Sequence, residues 1–187
     1  MTALRDDALA TLRAWHAPDA AQEQLRQAYV DHLDARPDGT ERECHPAHLT
    51  AGALVLSADR TQVLLTLHAK ARRWFHLGGH CEPGDATLLA AARREGIEES
   101  GIDGLVLDPE PLHLDRHTVA FCGGHERVDH LDVRFLALAA EGASPTVSDE
   151  SIDVRWWPVG DLPTDEPDMR RMVELALARA QTSSAAI

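Results

Sequence analysis

The chain has 187 residues, of which 44% are hydrophobic and 26% charged, as is ordinary for a globular protein with its own core. Its formal net charge is −13. Proteins that bind nucleic acids or anionic membranes nonspecifically carry basic surfaces instead. The charge therefore argues against both classes, and we expect neither a nucleic acid nor a membrane as a partner.

The cysteines and the first residues indicate the compartment. Cys44, Cys81 and Cys122 are odd in number, scattered and not in CxxC spacing, so a disulfide framework is not expected. The opening residues lack the basic start and apolar centre of a signal peptide. No run of about 18 apolar residues is present that would span a membrane. We expect a cytoplasmic protein.

Residues 1–45 are predicted to form a helical arm. Apolar residues recur at helical spacing in two segments separated by Pro18, and Asp19 fits the N-cap of the second helix. The turn-forming sequence ARPDG at 35–39 ends this segment. Two roles stay open for the arm: packing on the main domain, or forming the interface of a homodimer.

Residues 46–181 are predicted to form the main domain. Two β-rich apolar runs at 49–57 and 62–68, joined by a turn, predict a hairpin. Further strands are predicted at 104–108, 112–121, 130–139 and 154–159, with a last helix at 165–181. This alternation of strands and helices predicts an α/β sandwich with a mixed sheet. Residues 182–187 are predicted to be a disordered tail.

The stretch 78–102 combines a glycine-rich loop with an acidic helix. Glu95 stands three and four positions before Glu98 and Glu99, so the helical repeat brings the three carboxylates close together. Like charges at this spacing repel by a few tenths of a kcal/mol per pair. Such a cluster is either a solvated surface or the site of a bound cation.

Local signals define the limits of this helix. Thr87 is preferred over Asp85 as the N-cap because the apolar stripe begins directly after it, and Gly101 fits the position where a glycine ends a helix. Gly96 inside the helix costs about 1 kcal/mol relative to alanine. A glycine here would also permit close approach by a neighbouring element.

Together, the glycine loop, the charged helix and the terminal Gly-Ile resemble the signature of the Nudix hydrolase family. The positions of that pattern are taken by Gly79, Arg94, Glu95, Glu98, Glu99, Gly101 and Ile102. The resemblance extends over about residues 48–179. Three departures are present: Asp85 replaces the first glutamate, one residue (most simply Ala86) is inserted in the loop, and Gly96 replaces an aliphatic residue.

The resemblance implies a Nudix-like α/β/α sandwich with a mixed sheet. It also implies a hydrolase (a Nudix-type pyrophosphohydrolase) that cleaves the diphosphate linkage of a nucleoside diphosphate bound to another group. Mg²⁺ or Mn²⁺ would be the cofactor, because hard cations suit carboxylate and phosphate oxygens. The alternatives are a catalytically weak nucleotide-binding or sensor module and, less well supported, an isomerase of isoprenyl diphosphates.

The resemblance also assigns site residues. Glu95, Glu98 and Glu99 would bind the metal together with the backbone carbonyl of Gly78, and Arg94 would hold a neighbouring carboxylate in place. Glu95 is the first candidate for the general base. Glu150, in the loop before the tryptophan pair, is the second.

The substrate is not identified by the sequence. Lys70, Arg72 and Arg73 form the densest basic patch, directly before Trp74. Arg72, Arg73 and Trp74 are therefore candidates for binding an anionic substrate, although a solvated loop explains such a charge run as well.

A second constellation surrounds the turn FCGGHE. Its members are His113, His117, Cys122, His125 and His130. His117 and His130 would approach each other in a hairpin with Cys122 nearby, and these residue types bind zinc. Their spacing matches no standard zinc pattern, so ordinary strand and turn histidines are the favoured interpretation.

Overall fold

The computed structural model describes residues 3–148 and 151–184. Its helices are α1 (Ala3–Ala14), α2 (Ala20–Ala35), α3 (Leu88–Ser100) and α4 (Pro167–Ser184). Its strands are β1 (Ala47–Leu56), β2 (Gln62–His68), β3 (Trp74–Phe75), β4 (Leu77–His80), β5 (Val106–Cys122), β6 (His125–Leu138) and β7 (Ser151–Pro158).

The strands form one sheet in the order β3-β2-β1-β6-β5, with β4 also paired to β1 and β7 to β2. β1 and β2 are antiparallel, with Val55 opposite Leu64, which confirms the predicted hairpin. β7 runs antiparallel to β2, with Trp157 opposite Val63. The predicted fold class, a mixed α+β fold with a mixed sheet, is confirmed.

The chain divides into two compact units. The first unit comprises the chain up to Gly52, Gly79–Ala92 and Pro109–Phe135, and the second comprises Ala53–Gly78, Arg93–Asp108 and the chain from Leu136 onward. The helical arm therefore belongs to the first unit. The end of α3 that carries the glutamates belongs to the second.

In the first unit, α2 is hydrogen-bonded to β5, the last strand in the sheet order. The side-chain amide of Gln22 donates to the carbonyl of Leu114 (2.9 Å) and accepts from its N–H (2.7 Å), as a neighbouring strand would. Tyr29 is fully buried and donates to the carbonyl of Asp115. Because exposed strand edges invite pairing with other chains, these contacts protect β5. The role of the arm in a homodimer stays a prediction.

The helix start predicted at Asp19 is confirmed. Its carboxylate accepts from the backbone N–H of Gln22 at 3.0 Å, which satisfies one of the unpaired N–H groups in the first turn of α2.

The second unit has an apolar core next to α3. The buried members are Ala53, Val55, Leu64, Leu77, Ile102, Leu105, Ala137, Ala139 and Val154. A Cβ atom on Gly96 would lie 3.1 Å from Cδ1 of Leu105 and 3.7 Å from Cβ of Ala53. The glycine thus lets α3 approach this core closely, as the sequence suggested.

Some predicted boundaries differ from the structure. The strands expected at 104–108 and 112–121 are one continuous strand, β5, which contains Pro109 and Pro111. A strand at the end of a sheet tolerates proline because one side of its backbone has no ladder partner. The tail predicted at 182–187 is helical as far as Ser184, and its last three residues lie outside the described part of the chain.

No helix among the described residues is long and apolar enough to cross a membrane.

Candidate functional site

The ends of α3 are fixed by the residues that the sequence indicated. The hydroxyl oxygen of Thr87 accepts from the N–H of Ala90 at 3.0 Å, which confirms Thr87 as the N-cap. At the other end, Gly101 has a φ of +65° and its N–H donates to the carbonyl of Ile97 at 2.7 Å. A glycine adopts this left-handed conformation at low cost, so α3 ends there.

Asp85 fixes the loop before α3. Its carboxylate accepts from the N–H of Glu82 at 2.8 Å, and its own N–H donates to the carbonyl of Glu82 at 2.9 Å. The two residues therefore close a tight turn by reciprocal hydrogen bonds. This is a structural role for the Asp85 side chain.

Arg94 connects two of the three glutamates of α3. A single guanidinium nitrogen, Nη1, lies 2.9 Å from Glu95 Oε1 and 3.0 Å from Glu98 Oε2. The side chain of Glu95 is only 13% exposed, whereas that of Glu98 is 58% exposed. The expected pairing of Arg94 with a neighbouring carboxylate is thus present, and a positive charge lies between two carboxylates.

Glu99 is held separately. The residue is buried, and its Oε2 accepts a hydrogen bond of 3.0 Å from the backbone N–H of Gly78, at the start of the glycine loop. Burying a carboxylate is costly unless its oxygens are hydrogen-bonded. The hydrogen bond therefore ties the loop to the acidic helix. A role for the Gly78 carbonyl as a ligand stays a prediction.

The donor set on α3 is of the type that a hard divalent cation prefers, and its role in binding a metal stays a prediction. It consists of carboxylate oxygens on one helical turn, and Arg94 already supplies a positive charge between two of them. Glu98 is exposed enough to meet a solvated ion. Glu95 and Glu99 are the better shielded members.

The predicted substrate-binding residues lie in the second unit with partners of their own. Arg73 forms an ion pair with Glu166, while Arg72 is exposed with a φ of +57°. Trp74 packs edge-on against Trp157 at a ring distance of 5.2 Å, and the guanidinium of Arg155 lies over both rings. Their role in substrate binding stays a prediction. Glu150 lies outside the described residues.

The histidines and the cysteine named from the sequence separate into different environments. His113 lies 3.2 Å from the Gln22 amide, and His125 packs on His45. Only Cys122 and His130 of that group join a close cluster of possible metal ligands. The members of this histidine–cysteine cluster are His48, His80, Cys122 and His130, with donor atoms all within 4.8 Å of one another.

The sequence therefore named two of the four members and missed His48 and His80. His117 is a neighbour rather than a member: its ring centroid lies 5.4 Å from that of His130, and its Nδ1 lies 2.8 Å from Asp115. His48 lies 74 positions before Cys122 in the sequence, and His80 lies 42 positions before it. No local spacing rule connects residues so far apart.

Burial keeps the imidazoles of the histidine–cysteine cluster neutral. It lowers the pKa of His80 to about 4 and that of His130 to about 3, and neighbouring positive charge acts in the same direction. The pKa of His48 is also lowered by burial. In contrast, the hydrogen bond that His117 Nδ1 donates to the Asp115 carboxylate raises the pKa of His117.

Comparisons with known proteins identify the family. The family model described as the NUDIX domain matches residues 46–176, which is more than half of the chain. No curated protein matches the chain. The chain belongs to the NUDIX domain family.

Solved structures show the same fold. An Ap4A hydrolase of C. elegans in a binary complex superposes with a TM-score of 0.58 at 19% identity, covering 72% of this chain and 98% of its own. A NUDIX-family hydrolase from Clostridium perfringens gives 0.54 at 24% identity, covering 70% and 95%. The NUDIX domain of Shewanella oneidensis NrtR, complexed with ADP ribose, gives 0.52 at 21% identity, covering 71% and 87%.

The family defines the class of activity. The protein is a Nudix-type pyrophosphohydrolase. Enzymes of this kind generally use divalent metal ions.

Proposed function

We propose that this protein hydrolyses the diphosphate linkage of a nucleoside diphosphate joined to a second group, with Mg²⁺ or Mn²⁺ bound by Glu95, Glu98 and Glu99. The observation that carries the proposal is the arrangement of these glutamates on α3. Arg94 holds two of them and the N–H of Gly78 holds the third.

The three carboxylates have different tasks in this proposal. Glu99 is buried and fixed to the glycine loop, so it supplies a ligand oxygen at constant position. Glu98 is exposed and changes partner easily, since its contact with Arg94 is an i,i+4 ion pair at the surface. When bound, divalent cations neutralise the diphosphate and lower the pKa of the attacking water.

Glu95 is the proposed general base. Its side chain is largely buried beside Arg94, and a base must keep a fixed position within hydrogen-bonding distance of the water that it deprotonates. Arg94 is a positioning residue, since it contacts both Glu95 and Glu98. Glu150 remains the second candidate for the base.

The proposed substrate class follows from charge and from the neighbours. An acidic chain needs cations to accept a polyphosphate, which agrees with a metal-dependent site. Two structural neighbours are described with nucleotide chemistry, one as an Ap4A hydrolase and one in complex with ADP ribose. We extend from them only the class, a nucleotide-like diphosphate, to this chain.

The proposal is tested by a substrate panel with and without Mg²⁺ and Mn²⁺. Dinucleoside polyphosphates, nucleotide sugars, ADP-ribose and nucleoside triphosphates are incubated with purified protein, and products are separated by ion-exchange chromatography. We expect metal-dependent cleavage of at least one diphosphate-linked compound. Absence of turnover across the panel with either metal would contradict the proposal.

The variant Glu99→Gln distinguishes the enzyme from a binding module. The matched control is Glu174→Gln, which changes an exposed glutamate of α4. If parent and Glu99→Gln bind a nucleotide equally and neither turns it over, the protein is a sensor. If only the parent and the control turn it over, it is the proposed enzyme.

A further inference from the structure

We propose that His48, His80, Cys122 and His130 form a second metal site, a closed four-ligand site for Zn²⁺ or a similar transition metal, independent of the acidic helix. Every ligand belongs to the first unit. The site is therefore defined without reference to α3 or its glutamates.

The distances fit tetrahedral coordination. The Cys122 sulfur lies 3.1 Å from Nε2 of His80, 3.5 Å from Nε2 of His130 and 3.6 Å from Nε2 of His48. With Zn–S near 2.3 Å and Zn–N near 2.0–2.1 Å, a tetrahedral ion requires S···N distances of about 3.6 Å and N···N distances of about 3.3 Å. The ligand nitrogens lie at most 4.8 Å apart. To reach the N···N distance of about 3.3 Å, two side chains would move relative to each other by about 1.5 Å at most.

His48 has the tautomer that a metal ligand requires. Its Nδ1 lies 3.1 Å from the backbone carbonyl of Cys44. A carbonyl only accepts hydrogen bonds, so Nδ1 carries the proton and the lone pair is on Nε2, which faces Cys122. A backbone carbonyl that orients an imidazole in this way is the usual outer partner of a metal-binding histidine.

Three imidazoles converge on a single sulfur atom. A single metal ion can be bound by three neutral imidazole nitrogens and one thiolate together. His48 is fully inaccessible and Cys122 is 4% exposed, while His80 and His130 are half-buried. Neutral imidazole and thiolate are ligands for zinc and poor ligands for Mg²⁺.

The backbone around the site is closely packed. Gly123, directly after Cys122, has a φ of +57°, and a Cβ atom there would lie 2.2 Å from the carbonyl oxygen of Arg42. The turn that carries the sulfur thus contacts the segment that supplies the Cys44 carbonyl. This contact positions the ligand Cys122 and the outer partner of His48 relative to each other.

The site suits a structural role. Its ligands come from β1, β4, the end of β5 and β6, so one ion would join four strands of the sheet. Four protein ligands leave no open position for a substrate or an activated water, which is typical of structural zinc. We therefore expect the ion to stabilise the first unit without taking part in hydrolysis.

The test is the metal content of protein made without a histidine tag. The protein is stripped with a chelator, reloaded with zinc chloride, desalted and analysed by inductively coupled plasma mass spectrometry. We expect about one zinc ion per chain in the parent and loss of about 90% or more of it in Cys122→Ala and His130→Ala. The matched controls are Cys44→Ala, a buried cysteine that keeps its carbonyl, and His125→Ala, an exposed histidine.

Cobalt substitution tests the ligand chemistry in the folded protein. Co²⁺ bound by a thiolate produces a sulfur-to-metal charge-transfer band in the near ultraviolet, which we expect in the parent and in Cys44→Ala. The band should be absent in Cys122→Ala. Circular dichroism establishes that each variant is folded, and Cys122→Ser and His130→Gln replace any variant that is not.

The triple variant Glu95→Gln, Glu98→Gln, Glu99→Gln separates this site from the proposed active site. It should keep its zinc while losing turnover. A parent that retains no zinc after reloading would overturn the proposal, as would zinc that persists in folded Cys122→Ala and His130→Ala. Either result would leave the four residues as a hydrogen-bonded cluster and would leave the proposed hydrolase unaffected.

Discussion

The acidic end of α3 and the histidine–cysteine cluster use opposite means to bring potential ligands together. The three glutamates occupy one helical turn within five residues of sequence, and their oxygens are hard donors. The four members of the cluster come from four strands, and their nitrogen and sulfur atoms are softer donors. The first arrangement is local and the second is made only by the fold.

The two regions also differ in the groups that contact their potential ligands. Arg94 and the N–H of Gly78 hold the carboxylates, so one cation and one hydrogen-bond donor already offset part of the acidic charge. In the cluster, the sulfur of Cys122 lies next to three neutral imidazoles. The two regions should therefore select different metals, and experiments that change one region should leave the other unchanged.

The largest effect is expected for Glu99→Gln. The amide removes the negative charge at the buried position, so we expect the turnover number to fall by about 100-fold or more. The hydrogen bond from Gly78 can be kept by the amide oxygen, so the melting temperature should change little. Steady-state kinetics and thermal denaturation, with Glu174→Gln in parallel, provide the measurement.

The zinc content of Glu99→Gln tests whether the acidic helix and the histidine–cysteine cluster are independent. It should be equal in the parent and Glu99→Gln, because the cluster lies in a different unit. A variant that loses zinc together with activity would show that the two regions are not independent.

Zinc removal is expected to have the next largest effect. An ion that binds only the folded state stabilises it by about 2.7 kcal/mol at a free concentration 100 times its Kd. For a chain of this size, we expect the melting temperature to drop by about 5–10 °C after stripping. Differential scanning calorimetry measures the drop, and Zn²⁺ but not Mg²⁺ should reverse it.

The control for this prediction is Cys122→Ala, whose melting temperature should not respond to zinc. If Mg²⁺ restored the stability of the stripped parent, the stabilising ion would belong to the carboxylates instead of the cluster.

The next comparison is between Gly123→Ala and Gly124→Ala, two neighbouring substitutions in the turn after Cys122. Both glycines have positive φ, so both substitutions carry a conformational cost of roughly 1–2 kcal/mol. Only at Gly123 would the new Cβ meet the backbone of Arg42, and we expect an additional loss of about 1–3 kcal/mol. Urea denaturation gives both values.

The same two alanine variants test whether the Cys44 carbonyl, which accepts the hydrogen bond from His48 Nδ1, affects zinc binding. Gly123→Ala should also weaken zinc binding, because the displaced segment includes the Cys44 carbonyl. Equal stability and equal zinc affinity of the two alanine variants would show that the close contact at Gly123 is unimportant.

The smallest effect is expected for Gly96→Ala in α3. Alanine favours the helix by about 1 kcal/mol, while its Cβ would press on the end of the Leu105 side chain at 3.1 Å. The two contributions oppose each other, so the free energy of unfolding should change by about 1 kcal/mol or less. Chemical denaturation measures the change.

Leu105→Val removes the contacting methyl group and is the background for a double-mutant cycle. Gly96→Ala should be more favourable in that background than in the parent. If Gly96→Ala changed the free energy of unfolding equally in both backgrounds, crowding against Leu105 would not oppose the substitution.

The sequence predicted the local features of the candidate site well. Thr87 and Gly101 limit α3 as predicted, since capping depends on residues within a few positions of the helix end. The pairing of Arg94 with a carboxylate was expected from the family resemblance, and its contact with Glu98, four positions later, agrees with the helical repeat. The separate fixing of Glu99 by Gly78 was not predicted, because the two residues lie 21 positions apart in the sequence.

Strand boundaries and contacts between residues distant in the sequence were harder to predict. Two strands were predicted on either side of the segment that holds the prolines at 109 and 111, but the place of these prolines in a strand at the end of the sheet order lets β5 continue. Similarly, Gln22 gave no sign that its amide would pair with both backbone groups of Leu114. That contact depends on how the arm packs in the first unit.

The sequence by itself determined the acidic helix, because ligands three and four residues apart share a face in any α-helix. It also determined the family, through a pattern of glycines and charges at fixed spacing. Only the tertiary structure decided which histidines accompany Cys122. Strands far apart in sequence become neighbours through sheet pairing, and this pairing depends on the packing of the whole first unit and on no local spacing.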